Sequence, residues 1–142
     1  MNTKLFFYLF VMLQIICFGT FGCKSQSAST TTSGYETKTG LASFYGQNFQ
    51  GQETASGEAF DKREMVAAHP TYPMGTKVRV TNITNNQSVE VRVNDRGPNQ
   101  ENQAEGVIID LSKEAATKLE MVKDGRAKVK LEVMEWGKNQ TQ

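Results

Sequence analysis

The sequence predicts a small all-β domain closed into a barrel, on three observations. Apolar and polar residues alternate in short runs, most clearly at Val89, Val91 and Val93 and again at Val129, Leu131 and Val133. Clusters of Gly, Pro and Asn punctuate those runs. Only one stretch, beginning at Ser112, has the spacing of an amphipathic helix. A set of strands this short would expose unpaired edges if left open, and closure into a barrel removes them.

In chain order, Leu41, Ser43 and Tyr45 alternate with Ala42 and Phe44 in a first short strand with two fairly apolar faces. Gly46 to Glu58 reads as a loop, with glycines at 46, 51 and 57. Phe60 is expected in the core, whereas Phe49 can either close the core or lean on a sugar ring. Met65 to His69 is an apolar run ending in the only histidine, and Pro70 and Pro73 hold this segment as an irregular connection. Val78, Val80 and Ile83 lead through the turn Thr84 to Gln87 into the Val89 to Val93 strand, which makes a hairpin. Asn94 to Glu105 is read as a loop and Val107-Ile108-Ile109 as a buried strand. Ser112 caps a helix through about Met121 with Ala115, Ala116, Leu119 and Met121 on its apolar face. Gly125 ends the connection to the last strand, which precedes Trp136 and a polar tail.

The chain has 142 residues and a net charge of +1, which predicts one domain. Of its sixteen basic residues only Lys4 precedes Cys23, and no acidic residue does, so the remainder is balanced. That balance gives no electrostatic reason to expect nucleic acid. Both cysteines, Cys17 and Cys23, lie in or beside the apolar N-terminus, so the rest of the chain forms no internal disulfide. A single histidine and no cysteine in that remainder argue against a zinc site, and no cofactor is implied.

Lys4 followed by the apolar run Leu5 to Phe21 and then Gly22-Cys23 has the pattern of an export signal over residues 1–22. Gly22-Cys23 resembles the end of a bacterial lipoprotein signal, in which the cysteine takes the lipid, although Thr20 stands where leucine is usual. A retained membrane anchor and an ordinary secretory signal are the alternatives. Residues 23–39, rich in Ser and Thr, read as a flexible tether. The domain is placed at 40–136 and the tail at 137–142.

The candidate chemistry centres on Val-Arg-Val-Asn-Asp-Arg-Gly-Pro at 91–98. A strand with one buried face delivers Asp95 at its rigid end, where Gly97 and Pro98 stop it and leave room for a substrate. The bland alternative is that Asn94 and Asp95 only form the turn. Thr54-Ala55-Ser56-Gly57-Glu58 sets a second carboxylate past a glycine turn, with Asp61 three residues on. His69, after an apolar run, has the pattern of a satisfied structural residue more than that of a catalyst. Asp110, at the end of a buried strand, is read as structural, holding neighbouring backbone amides.

Six motifs in order carry a resemblance: Gly40 to Gly46, Thr54 to Glu58, Ala67-Ala68-His69, Pro73 to Thr76, Val91 to Pro98, and Ile108 to Ser112. Together, from about Gly40 to Glu135, they resemble the rare lipoprotein A family, RlpA. The resemblance implies a six-stranded double-psi β-barrel with one or two short helices. It also implies a monomeric, membrane-anchored envelope lipoprotein, attached through Cys23 and facing the periplasm, that cleaves peptidoglycan as a lytic transglycosylase. Its catalytic residues carry over onto Asp95, His69 and Glu58, and its substrate contacts onto Asp61, Tyr45, Thr54, Asn94 and Arg96.

A lytic transglycosylase lets the muramyl 6-hydroxyl attack its own anomeric carbon, so one carboxyl can act first as acid and then as base. Arg92 and Arg96 are expected to point away from Asp95 or to bind substrate, and Glu58, if close, sets a second negative charge beside it. Three departures from the family pattern are visible. Phe44 stands in place of tryptophan, Val107 in place of an arginine, and no glycan-binding SPOR domain follows Glu135. The alternative reading is a non-catalytic, expansin-like wall-remodelling module.

Overall fold

The computed structural model describes residues 36–138. The export signal, Cys23 and the tether up to residue 35 lie outside the described residues, as does the end of the tail. No helix among the described residues is long and apolar enough to cross a membrane.

Six strands close into a barrel: β1 (Thr37–Phe44), β2 (Val66–Ala68), β3 (Lys77–Asn82), β4 (Ser88–Asp95), β5 (Val107–Leu111) and β6 (Ala127–Glu135). Their order around the barrel is β1-β5-β2-β4-β3-β6, with each end strand paired to the other. β1 with β5 and β2 with β4 run parallel, and the other neighbours antiparallel. The barrel expected from alternation is thus present, with no free edge among these strands.

Alternation set the inward faces. Val89, Val91 and Val93 of β4 are buried, as are Val78 and Val80 of β3 and Val129, Leu131 and Val133 of β6. The β3–β4 hairpin forms with Val80 opposite Val89 and Val78 opposite Val91. Its turn uses a left-handed Asn86, with φ of 60°, a conformation that asparagine tolerates.

Four elements differ from the sequence reading. β1 begins at Thr37 and pairs there with Glu132 of β6, so the barrel starts inside the segment read as tether. Val66–Ala68 is a strand rather than an irregular connection, wholly buried between β4 and β5. A polar helix, α1 (Gln100–Ala104), forms inside the expected loop; it buries no residue and is held by the Asn99 side chain accepting from the Asn102 amide. The second helix, α2, is shorter than expected, Lys113–Lys118, because Glu120 turns left-handed with φ of 55°. Ser112 caps it as predicted, and Ala115, Ala116, Leu119 and Met121 all pack into the core.

Candidate active site

The barrel lines up one row of residues near its strand ends. Ser43 of β1 pairs with Asp110 of β5, Asp110 with Ala68 of β2, and Ala68 with Asp95 of β4. Neighbouring strands lie about 4.8 Å apart, which puts the two aspartate backbones about 10 Å apart across Ala68. Both carboxyls line one cavity of about 330 Å³. The aromatic residues Tyr45 and Phe49 line it too, as do Arg96, Gly97, Asn99 and Asn102. Gly97 keeps the floor open: a Cβ there would stand 3.2 Å from the Ala68 Cβ and 3.3 Å from the Asp110 Oδ2.

Asp95 is held on three sides. Tyr45 donates its hydroxyl to Oδ2 at 2.8 Å, while the backbone amides of Ala55 and Arg96 donate to Oδ1 at 2.9 and 2.8 Å. The carboxyl is therefore fixed by its own strand, by the aromatic residue that follows β1 and by the 54–58 loop together. Tyr45 itself leans on Phe49 and Phe60, with ring centroids 5.3 and 4.7 Å away. Burial first, and then the Asp95 and Asp110 carboxyls, push its phenol far above the usual range, so it stays a donor. Phe60 is in the core as expected, and Phe49 is exposed on the cavity rim, where a sugar face can rest on it.

The Thr54 to Glu58 loop shapes this arrangement rather than lining it. The Thr54 amide and hydroxyl both donate to the Glu58 carbonyl, at 2.8 and 3.0 Å, and the Ser56 amide donates to the Asn94 carbonyl at 3.1 Å. Glu58 is taken by Arg92, which donates to both its oxygens at 2.9 Å, with Asn94 adding a third bond at 3.3 Å. Arg92 chiefly holds the Glu58 carboxyl below its ordinary value. Asn94 is buried beneath the loop. Asp61 faces solvent with Arg63, whose guanidinium holds it well below the carboxylate range. Thr54, Glu58 and Asn94 are thus gathered around the loop and Asp61 pairs with Arg63 outside it, whereas Tyr45, Asp95 and Arg96 meet at the cavity. The Arg96 guanidinium points away from Asp95, donating to the Tyr72 and His69 carbonyls at 2.8 and 3.3 Å.

His69 is buried, and its amide donates to the Asp95 carbonyl at 3.2 Å, but its ring engages the next turn. Nδ1 accepts from the Tyr72 and Thr71 amides at 3.1 and 3.3 Å, and the ring stacks on Tyr72 at 3.5 Å. An Nδ1 that accepts carries no proton, so the ring is neutral with its hydrogen on Nε2. Burial, and then Lys38 and Arg96 against a smaller opposing pull from Glu36, draw its pKa from 6.5 to about 4.

The unfolded chain takes up this proton below pH of about 6.5 and the folded chain only near 4, so stability falls as the pH drops through that window, by up to about 3 kcal/mol. Urea unfolding near neutral pH and at about pH 4 should show a larger acid loss for the wild type than for His69→Gln. Equal losses in the two chains would contradict this account.

Asp110 does not hold backbone amides, as its sequence position suggested. It accepts a hydrogen bond from the Ser43 hydroxyl on Oδ1 and turns Oδ2 toward Gly97. Burial first, and also the Asp95 charge, push its carboxyl up, against the Ser43 bond and Arg126. No single-strand pattern shows this residue to be part of the site. Its place depends on the register of four strands.

The family model described as "Lytic transglycolase" matches residues 37–131, from the first barrel strand into the last. The chain belongs to the lytic transglycolase family. Among curated relatives of this family, the endolytic peptidoglycan transglycosylase RlpA of Campylobacter jejuni is 49% identical over 102 residues, covering 72% of this chain and 36% of that protein. The Neisseria meningitidis protein of the same name is 52% identical over 96 residues, covering 68% and 38%. That of Pseudomonas aeruginosa is 52% identical over 93 residues, covering 66% and 26%. The chain therefore spans between about a quarter and two fifths of the length of these relatives. Among solved structures, a Clavibacter michiganensis expansin overlays with a TM-score of 0.55 at 23% identity, over 73% of this chain and 53% of that one. A Streptomyces papain inhibitor overlays with a TM-score of 0.54 at 24% identity, over 69% and 94%. Both support the double-psi barrel of the lytic transglycolase family as a fold shared by different activities.

Proposed function

We propose that this chain is an endolytic peptidoglycan lytic transglycosylase of the bacterial envelope. It cleaves the bond between N-acetylmuramic acid and N-acetylglucosamine and leaves a 1,6-anhydromuramic end. The observation that carries the reading is Asp95, held by Tyr45 and two backbone amides at a cavity that Tyr45 and Phe49 also line. A fixed carboxyl is what the reaction needs, since the nucleophile is the substrate's own hydroxyl and no separate water has to be placed. Phe49 gives the sugar an apolar face to rest on, and Asn99 and Asn102 offer amides to its hydroxyls. His69 and Glu58 support the site from behind: His69 fixes the chain after β2, and Glu58 with Arg92 fixes the loop whose Ala55 amide holds Asp95.

Mass spectrometry of fragments released from peptide-stripped peptidoglycan tests the reading. Anhydromuramic ends are expected. Ends heavier by one water would make the protein a hydrolase, and sacculi bound without any release would make it a non-catalytic wall module.

Cys23 is the residue that would tie the domain to a membrane, because a small residue precedes it and a polar, Ser- and Thr-rich segment follows. Intact mass of the membrane-extracted protein should show a chain beginning at a lipid-modified Cys23, and Cys23→Ala should release or misprocess it. A soluble, unmodified mature chain recovered from the wild type would refute this.

A further inference from the structure

The two aspartates at the cavity differ in their surroundings. Asp95 receives three hydrogen bonds, from Tyr45, Ala55 and Arg96. Asp110 receives one, from Ser43, on Oδ1, and its Oδ2 lies beside Gly97. Between the two aspartates in the strand order lies Ala68, fully buried, which contributes only a methyl group, and Gly97 packs against it. Of the groups near Asp110, Ser43 and Tyr45 are on the adjoining strand β1 or at its end, Asp95 is on β4 beyond β2, and Arg126 is the cation among the described residues that acts on it.

Resting on the transglycosylase reading, we propose that Asp110 is a second catalytic carboxyl and that the two aspartates divide the proton transfers: Asp110 protonates the leaving oxygen while Asp95 deprotonates the muramyl 6-hydroxyl. The Asp110 Oδ2–H gives its proton to the glycosidic oxygen as the bond from that oxygen to the muramyl anomeric carbon breaks. The muramyl O6 forms the new bond to the same carbon and passes its own proton to the Asp95 carboxylate. The products are a free 4-hydroxyl on the departing sugar and a 1,6-anhydro ring, and no water is consumed. Asp95 ends with a proton and Asp110 without one; exchange with solvent resets both. The surroundings suit this division. Burial favours the protonated form of Asp110, and Tyr45 with two amides orients Asp95.

The test measures the initial rate of anhydro-end release from peptide-stripped peptidoglycan by the full chain across the pH range. Wild type should give a bell whose high-pH limb reports loss of the Asp110 proton. Asp110→Asn should lower the rate on the order of 10² to 10⁴-fold. Ser43→Ala keeps the carboxyl but removes the hydrogen bond that favours its anion, so the high-pH limb should move to higher pH. A purely structural Asp110 would leave that limb where it was. Should Asp110→Asn fail to fold, the Ser43→Ala profile decides by itself. An Asp110→Asn rate within about threefold of wild type, too small a loss for a missing acid, overturns the proposal, as does an unmoved limb in Ser43→Ala. A wild type that releases no anhydro ends overturns the transglycosylase reading together with this one, whereas active wild type with either of those variant results overturns this one alone.

Discussion

Asp95→Asn should lower the rate of glycan cleavage on the order of 10² to 10⁴-fold while leaving the fold intact. The substitution is close to isosteric, and its hydrogen bonds can be remade. The amide oxygen takes the place of Oδ1 and accepts from the Ala55 and Arg96 amides, while the amide nitrogen faces the Tyr45 hydroxyl, which can accept as well as donate. What disappears is a group able to take up a proton at the 6-hydroxyl. The informative pair of measurements is therefore the release of anhydro ends beside the unfolding midpoint. A variant that releases fragments at the wild-type rate would remove Asp95 from the chemistry, and one that unfolds would show that the hydrogen bonds were not replaced.

The largest loss of stability is expected from Leu131→Ala. Leu131 is fully buried and sits on β6, the strand that pairs with both β1 and β3. Its neighbours in register are Lys38 on one side and Val80 on the other, both anchored by ladder hydrogen bonds that limit how far the walls can collapse into the gap. A cost of about 2 to 5 kcal/mol follows from the lost burial and the unfilled cavity, a large part of the roughly 5 to 15 kcal/mol typical of a domain. Urea denaturation should show the midpoint fall with an unchanged slope. A midpoint at the wild-type value would mean that the strand carries less of the core than its burial indicates.

Those two residues also mark what could be read from the sequence. Leu131, Val91 and their neighbours follow strict alternation, which is a local signal, and the hairpin and the barrel followed from it. β2 gave no such signal because all three of its residues are buried, so polar and apolar positions do not alternate. α1 gave none because it has no apolar face and depends on the Asn99 cap. The parallel pairings of β1 with β5 and of β2 with β4 join distant segments, and periodicity does not encode them; the resemblance in the motifs supplied that part of the fold.

In the site, Asp95 was legible because one stretch of chain carries both the strand and its stop. The partners of Asp110 were not legible, because Ser43 and Ala68 come from two other parts of the chain. Glu58 and His69 were singled out by their motifs, but their side chains turn to Arg92 and to the Tyr72 amide, which only coordinates reveal.

The short strand β2 has one more consequence. The span between the two aspartate backbones is set by the strand pairings on either side of Ala68. Drift in α1, which makes none of the hydrogen bonds that hold Asp95, can therefore alter the cavity lining while that span stays the same. The cavity lining and the aspartate pair are built by separate parts of the molecule, and can diverge at separate rates.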